Sequence, residues 1–184
     1  KFNMSILVTD ELMEAAKNNE PWNLEFPDYE KRRTEYKNEW NGNIKEWKAL
    51  GYETVTYKTF ENANELWDVI MQSTYNRNEP GVLFVDTMNR LNNLYYNEYI
   101  SATNPCGEQL LPIGGVCLLG SLNLTQFVNE TATDWDYVKL KEIIPTAIRF
   151  MDNVNDKTNV PLPIQKKNLQ NKRRIGLGIL GYGS

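Results

Sequence analysis

The sequence predicts an α/β fold with a sheet that is rich in parallel strands or closed into a barrel. Segments with a helical apolar period alternate with short apolar segments throughout the 184 residues, without an internal repeat. Val82–Val85 is a continuous apolar run, which is typical of a parallel strand covered on both faces. Hydrophobic residues make up 41% and charged residues 24%, as in an ordinary globular domain.

The chain begins with a predicted strand, a helix and a second extended segment. Phe2–Val8 alternates apolar and polar residues, and Thr9 follows as a helix N-cap. The helix carries its apolar residues on one stripe, formed by Leu12, Met13, Ala15 and Ala16. Asn18–Pro21 ends the helix, and Trp22–Phe26 is extended.

A charged segment interrupts this alternation. Between residues 28 and 50, Tyr and Trp recur at helical spacings, which predicts one or two amphipathic surface helices. Gly42 is a possible break in this segment, and Gly51 ends it. Beyond it, Tyr52–Tyr57 predicts a short strand centred on Val55.

The middle of the chain predicts a helix and then a parallel strand. The helix spans Asn62–Tyr75, and a turn at Glu79–Gly81 leads to the apolar run at residues 82–85. Asp86–Arg90 follows this run directly, at the carboxyl end of the strand, where α/β folds usually place their sites.

The last third predicts a long helix over Asp134–Asn153, which Pro145 should kink or split. Val160–Pro163 is an extended linker, and Gln165–Lys172 is a short polar helix. An apolar segment from Ile175 closes the chain. Both ends look like cuts, so we expect a section of a longer chain.

The charge of the chain argues against direct nucleic-acid binding. The net charge is −4, whereas duplex-binding proteins present clustered basic residues. One basic cluster combines Lys166–Lys167 with Lys172–Arg174, and a solvated helix face explains it better than a phosphate site does. No stretch approaches the roughly 20 apolar residues of a membrane span, and no signal peptide is recognisable. We expect a cytoplasmic protein without a membrane partner.

Cys106 and Cys117 are the only cysteines, and histidine is absent. Two cysteines do not make a disulfide framework in a domain of this size, which favours a reducing compartment. A metal site is not expected, because the usual zinc ligands are too few. Catalysis that pairs serine or cysteine with histidine is excluded, so acid–base chemistry falls to Asp, Glu, Tyr, Lys or Cys.

Both cysteines lie in the stretch ATNPCGEQLLPIGGVCLLGSLNL, residues 102–124. Pro105 and Gly107 predict a tight loop that holds three polar residues at alternate positions, and hence on one face. These residues are Asn104, Cys106 and Glu108. A thiol can transfer a hydrogen atom, a carboxylate can act as a base, and an amide can orient a hydroxyl group. The alternative is a loop cysteine whose neighbours only stabilise a turn.

Cys117 opens the apolar run Val116–Leu119, where a buried structural cysteine is the favoured interpretation from the local sequence. A disulfide between Cys106 and Cys117 is sterically possible. It would remove the reactive thiol, and we rank it last.

Five blocks of the chain carry a recognisable family pattern. In order, they are Phe2–Asp10, Glu79–Arg90, Asn104–Pro112, Cys117–Leu124 and Arg173–Gly181. Together they resemble the large, catalytic subunit of ribonucleotide reductases, and they span nearly the whole chain. The resemblance implies that residues 1–184 are the central part of a ten-stranded α/β barrel, incomplete at both ends, with a charged helical insertion at about 28–50.

The resemblance also implies a role for each site residue. Cys106 would carry a transient thiyl radical that abstracts the 3′ hydrogen of the substrate ribose. Glu108 would be the general base on the 3′ hydroxyl, and Asn104 would orient the ribose hydroxyls. Cys117 would be one of two thiols that reduce the radical left after the 2′ hydroxyl departs as water. The family's second reducing thiol lies upstream of the part that corresponds to Lys1, so this chain alone should be inactive.

Within the family, Leu110–Gly115 and Gly120–Leu124 look most like the adenosylcobalamin-dependent group. We therefore expect adenosylcobalamin as the radical source, with a separate metal-containing small subunit as the alternative. The resemblance further implies a ribonucleotide substrate, a thioredoxin-like reductant and a homodimer, and it identifies no cofactor-binding residue. Two other hypotheses are a thiyl-radical barrel of the glycyl-radical type and a non-catalytic piece of a split reductase.

Overall fold

The structure is a computed structural model that describes residues 3–129, 131 and 133–183. The chain divides into two compact units, Lys1–Ile113 and Gly114–Ser184. Helices and strands alternate in each unit, which confirms the α/β class. The strands of the described residues form separate two-stranded sheets and no closed barrel.

The first unit contains two strand pairs, a hairpin and the helices between them. Its elements are β1 (Ser5–Val8), α1 (Asp10–Asn18), β2 (Trp22–Pro27), α2 (Arg33–Glu39), α3 (Ile44–Ala49), β3 (Thr54–Phe60), α4 (Ala63–Arg77), β4 (Gly81–Phe84), α5 (Val85–Arg90), β5 (Ala102–Thr103) and β6 (Leu110–Leu111). β1 and β4 are parallel, β2 and β3 are antiparallel, and β5 and β6 are antiparallel.

The core of this unit lies between α1, α4 and the β1–β4 pair. The hydroxyl of Thr9 accepts the N–H of Leu12 at 3.2 Å, which confirms the predicted N-cap. The buried side chains of the core are Val8, Leu12, Ala15, Ala16 and Ala63. The apolar stripe predicted for the first helix is therefore the face that α1 buries.

Two strand predictions need correction. The first strand covers only Ser5–Val8 of the described residues, and Phe2 lies outside them. The run at residues 82–85 is a parallel strand up to Phe84, but it is not covered on both faces, since Phe84 is 46% exposed. β4 pairs with β1 alone among the described strands, so it is an edge strand, and the Phe84 side chain at its end remains open to solvent.

Residues 28–50 contain two helices, α2 and α3, in agreement with the one or two helices predicted there. Gly42 lies between them with φ 95°, and Gly51 follows α3 with φ 81°. An aromatic cluster packs here, in which Trp47 is only 2% exposed and its ring lies 4.7 Å from that of Tyr52. The strand expected at 52–57 runs instead from Thr54 to Phe60, because it pairs along the whole of β2.

The second unit is a parallel strand pair with a helical crossover. Its elements are β7 (Leu118–Asn123), a 3-10 turn (Leu124–Gln126), α6 (Tyr137–Lys157), α7 (Pro163–Lys172) and β8 (Ile175–Leu180). β7 and β8 are in register with Leu118 opposite Ile175. This is the strand–helix–strand unit that joins parallel strands in α/β proteins.

The long helix of this unit is not split at Pro145. α6 continues through that residue and starts at Tyr137, where the carboxylate of Asp136 accepts the N–H of Lys139 at 2.9 Å. Pro145 removes one helical hydrogen bond, to the carbonyl of Lys141. Both residues are exposed, so water can replace the lost donor, and the predicted break does not occur.

The basic cluster contributes to the fold through Arg173. Its guanidinium donates to the carboxylates of Asp152 at 2.7 Å and Asp156 at 2.6 Å. The hydrogen bond from Arg173 lowers the pKa of Asp156. These contacts join the end of α7 to α6 and favour a structural role for this residue over a phosphate site. Across the described residues, no helix is both long and apolar enough to cross a membrane.

Candidate active site

Cys106 is located on the hairpin formed by β5 and β6. The N–H of Gly107 donates to the carbonyl of Asn104 at 3.0 Å, which closes a turn with Pro105 and Cys106 at its centre. Gly107 has φ 82°, a conformation that side chains other than hydrogen disfavour. Proline and glycine therefore place Cys106 at the tip of a tight turn, and Cys106 is exposed there.

The side chain of Asn104 connects the two sides of this turn. Its Oδ1 accepts the N–H of Gln109 at 2.9 Å, and its Nδ2 donates to Oε1 of Glu108 at 2.5 Å. The first contact fixes which way the amide faces, and the second aligns the Glu108 carboxylate. Glu108 is itself exposed and can still accept a proton from a molecule bound at the turn.

The turn is also attached to the segment that leads into β1. Nδ2 of Asn3 donates to the carbonyl of Pro105 at 2.9 Å. Next to this contact lies a cleft of about 580 Å³, a volume typical of small-molecule sites. The cleft is lined by Asn3, Ser5, Leu7, Leu83 and residues 101–105.

Cys117 belongs to the second unit and has a different environment. It is half-buried immediately before β7, and its thiol lies 3.9 Å from the carbonyl of Leu118, a weak sulfur contact. It is less buried than the local apolar run predicts. Both Cys117 and Cys106 are free thiols in the structure.

The structure brings Asn104 and Glu108 into direct contact, with Cys106 on the turn between them. The reason differs from the one predicted from the sequence. Alternation along an extended segment would align these three residues, whereas the segment is a closed turn and an amide–carboxylate hydrogen bond makes the contact. Within residues 3–129, 131 and 133–183, no group of His, Cys, Asp or Glu side chains is arranged to hold a metal ion.

Sequence reasoning missed the contribution of the first strand to the site. Asn3, Ser5 and Leu7 line the cleft at alternate positions. The period of two that predicts the strand also places these residues on one face, so this signal was available. It did not show that this face lies beside the Cys106 turn.

The parallel strand pairs and the helical crossover are those of an α/β protein, and one turn of it carries an exposed thiol and an exposed carboxylate. The chain belongs to the family described as "Ribonucleotide reductase, barrel domain", whose family model matches residues 1–184. This match confirms the resemblance on which the roles of the four site residues depend, and it favours this family over the glycyl-radical alternative.

Curated relatives carry related names. A vitamin B12-dependent ribonucleoside-diphosphate reductase of Mycobacterium tuberculosis is 41% identical over 120 residues, covering 65% of this chain and 17% of the relative. A protein of the same name from Thermoplasma acidophilum is 40% identical over 121 residues, covering 65% and 16%. The ribonucleoside-diphosphate reductase large subunit of variola virus is 25% identical over 182 residues, covering 97% and 23%. The chain thus spans less than a quarter of the length of these relatives.

Proposed function

We propose that the complete protein reduces ribonucleotides to deoxyribonucleotides by thiyl-radical chemistry, with Cys106 as the thiyl residue. One observation carries the proposal. Asn104 holds the Glu108 carboxylate through a 2.5 Å hydrogen bond across the turn on which Cys106 is exposed. A hydrogen-atom acceptor, a base and an orienting amide therefore belong to one hairpin beside a cleft.

The first half of the reaction uses these three residues. The sulfur radical of Cys106 takes the 3′ hydrogen atom of the ribose, so that an S–H bond forms, the C3′–H bond breaks and the radical moves to C3′. Glu108 accepts the proton of the 3′ hydroxyl, and Asn104 orients the ribose hydroxyls by hydrogen bonding. The 2′ hydroxyl then gains a proton from one of the two reducing thiols and leaves as water, and Glu108 gives its proton back to the 3′ oxygen in the second half.

The second half needs two electrons, and Cys117 supplies them with a second thiol that lies outside this chain. The two thiols become a disulfide as C2′ becomes a methylene group. Cys106 then returns a hydrogen atom to C3′, which regenerates its sulfur radical. In sum, one ribonucleotide and two thiols give one deoxyribonucleotide, one water and one disulfide. A thioredoxin-like reductant restores the two thiols.

Adenosylcobalamin is the radical source that the names of the Mycobacterium and Thermoplasma relatives support. When bound, this cofactor supplies a carbon radical by cleavage of its cobalt–carbon bond. The exposure of Cys106 fits this choice, because a thiol on an open turn can meet a cofactor of that size. Activity that depends on added adenosylcobalamin supports the choice, and activity that requires a metal-containing small subunit contradicts it.

The remaining features of the proposal concern the complete protein. The relatives' names support a ribonucleoside diphosphate as substrate. Residues 1–184 would form the central part of a ten-stranded barrel, with residues 28–50 as an insertion. The family resemblance supports a cytoplasmic homodimer.

The test is Cys106→Ser in the complete protein. A hydroxyl is a much poorer hydrogen-atom relay than a thiol, because its O–H bond is stronger than S–H. We expect deoxyribonucleotide formation to fall to background, while the nucleotide affinity stays within about threefold of wild type, as measured by equilibrium binding. Sustained turnover by the Cys106→Ser protein would end the proposal.

A further inference from the structure

The short helix α5 carries a side chain that holds the backbone just before β5. Nδ2 of Asn89 donates to the carbonyl of Ile100 at 2.9 Å, and Oδ1 of Asn89 accepts the N–H of Ile100 at 2.8 Å. One side-chain amide therefore satisfies both polar backbone groups of one residue, as a neighbouring strand would. Ile100 is 4% exposed, so these backbone groups have little access to water as a replacement.

The residue held in this way leads directly into the candidate catalytic hairpin. The N–H of Ser101 donates to the carbonyl of Leu111 at 3.2 Å, which extends the β5–β6 ladder by one step. Asn104 follows three residues later. The position of Ile100 therefore sets where β5 begins, and β5 sets where the turn with Cys106 projects.

α5 is itself fixed to another part of the first unit. The carboxylate of Asp86 accepts the N–H of Asp10 at 2.8 Å, and the guanidinium of Arg90 donates to the carboxylate of Asp10 at 2.9 Å. Nδ2 of Asn89 also donates to the carbonyl of Val85 at 3.0 Å, within α5. The segment at the carboxyl end of β4 thus links the start of α1 to the hairpin.

We propose that Asn89 is a positioning residue for the candidate active site. It acts through the backbone of Ile100 to fix β5, and through β5 it fixes the Asn104–Glu108 pair relative to Cys106. This inference rests on the proposed function. A displacement of about 1 Å can lower a rate by about 100-fold, even when the altered residue lies away from the reacting atoms.

The test compares Asn89→Ala with Asn89→Gln in the complete protein. Alanine removes both contacts with Ile100, whereas glutamine keeps an amide donor and acceptor on a longer arm. We expect Asn89→Ala to lower kcat about 10- to 100-fold with KM within about threefold. Asn89→Gln should restore part of the loss, giving the order Asn, Gln, Ala in kcat.

Two control variants separate positioning from loss of stability. Asn92→Ala removes an amide that binds within the following loop, where it accepts the N–H of Leu94 at 2.9 Å. Ile70→Val shortens a buried side chain of α4, which lowers the stability of the protein but leaves the amide of Asn89 in place. Both controls should keep kcat within about twofold of wild type, and thermal unfolding should be recorded for all four variants.

Several outcomes decide the inference. The positioning role is wrong if Asn89→Ala keeps kcat within twofold of wild type. It is also wrong if Ile70→Val and Asn89→Ala lose the same amount of stability and the same amount of kcat. If Asn89→Ala fails to fold, Asn89→Gln decides alone, and wild-type kcat in that variant with wild-type stability also overturns the role. Failure of the proposed function looks different, because turnover would then survive Cys106→Ser whatever the Asn89 variants do.

Discussion

The two cysteines lie in contrasting surroundings. Cys106 is exposed on a turn that is held in place by polar contacts, chiefly the Asn104 amide within the hairpin and the Asn3 amide on the Pro105 carbonyl. Cys117 is half-buried at the start of a parallel strand. The contrast matches the proposed division of work. The first thiol must meet both a radical source and the ribose, whereas the second needs to reach only the ribose and a partner thiol.

The units that hold these cysteines also differ in how they are stabilised. The hairpin of the first unit depends on hydrogen bonds from side chains to the backbone. The strand after Cys117 depends on packing under α6, where a Cβ on Gly120 would lie 3.1 Å from the sulfur of Met151. The hairpin is therefore held chiefly by polar contacts, and the strand after Cys117 is held chiefly by packing.

The largest effect that sharpens this contrast is expected from Cys117→Ser in the complete protein. The variant keeps Cys106 and can start the reaction, but it lacks one of the two reducing thiols. We expect at most one aberrant turnover per active site, measured as product formed per enzyme in the first burst and in steady state. Repeated turnover by Cys117→Ser would show that the two cysteines do not divide the work as proposed.

A smaller loss is expected from Glu108→Gln. The glutamine keeps the size of the side chain and an oxygen that can accept from Nδ2 of Asn104, but it is no longer a base. Turnover should be about 10²–10⁴-fold slower, the usual range for loss of a general acid–base group. Thermal unfolding serves as the control, because the melting temperature should stay close to that of wild type if the turn is intact. If Glu108→Gln lowered the turnover rate less than threefold, Glu108 would not be the general base.

Gly42→Ala and Gly51→Ala form a matched pair in the first unit. Both glycines have positive φ, which costs an L-residue roughly 1–2 kcal/mol. Only at Gly42 would the new Cβ collide with a neighbour, the Cβ of Ser101, while nothing lies within 4 Å at Gly51. We expect Gly42→Ala to lose about 1–3 kcal/mol more stability than Gly51→Ala does, as measured by thermal or urea unfolding.

Because Ser101 directly precedes β5, Gly42→Ala should also alter the alkylation rate of Cys106, whereas Gly51→Ala should not. Equal stability losses and equal alkylation rates would mean that residues 28–50 have no influence on the hairpin.

The smallest expected effect is a gain in stability from Asn155→Leu in the second unit. Asn155 is 3% exposed, and neither atom of its amide has a hydrogen-bond partner among the described residues. An unsatisfied buried polar group costs about 1–3 kcal/mol, so a leucine should raise the free energy of unfolding by an amount in that range. Asn153→Leu on the exposed side of α6 is the control and should stay within about 0.5 kcal/mol. A loss of stability in Asn155→Leu would mean that the amide is satisfied in the complete protein.

The sequence by itself determined the α/β class, the order of most elements and the turn that carries Cys106. These features depend on local interactions. Thr9 caps α1 and Asn62 caps α4 through their own side chains, and Pro105 and Gly107 favour a turn whatever surrounds them. The family pattern is the basis of the role proposed for each site residue, because those residues lie in short blocks that can be recognised without a structure.

Only the tertiary structure decided what joins these local pieces. It showed that Asn104 meets Glu108 by a hydrogen bond within a closed turn, that α6 continues through Pro145, and that Asn89 holds Ile100. The physical reason is that periodicity and capping describe what a residue does to its own segment. Which segment it then contacts depends on how separate elements pack, and the spacing of residues along the chain does not encode that.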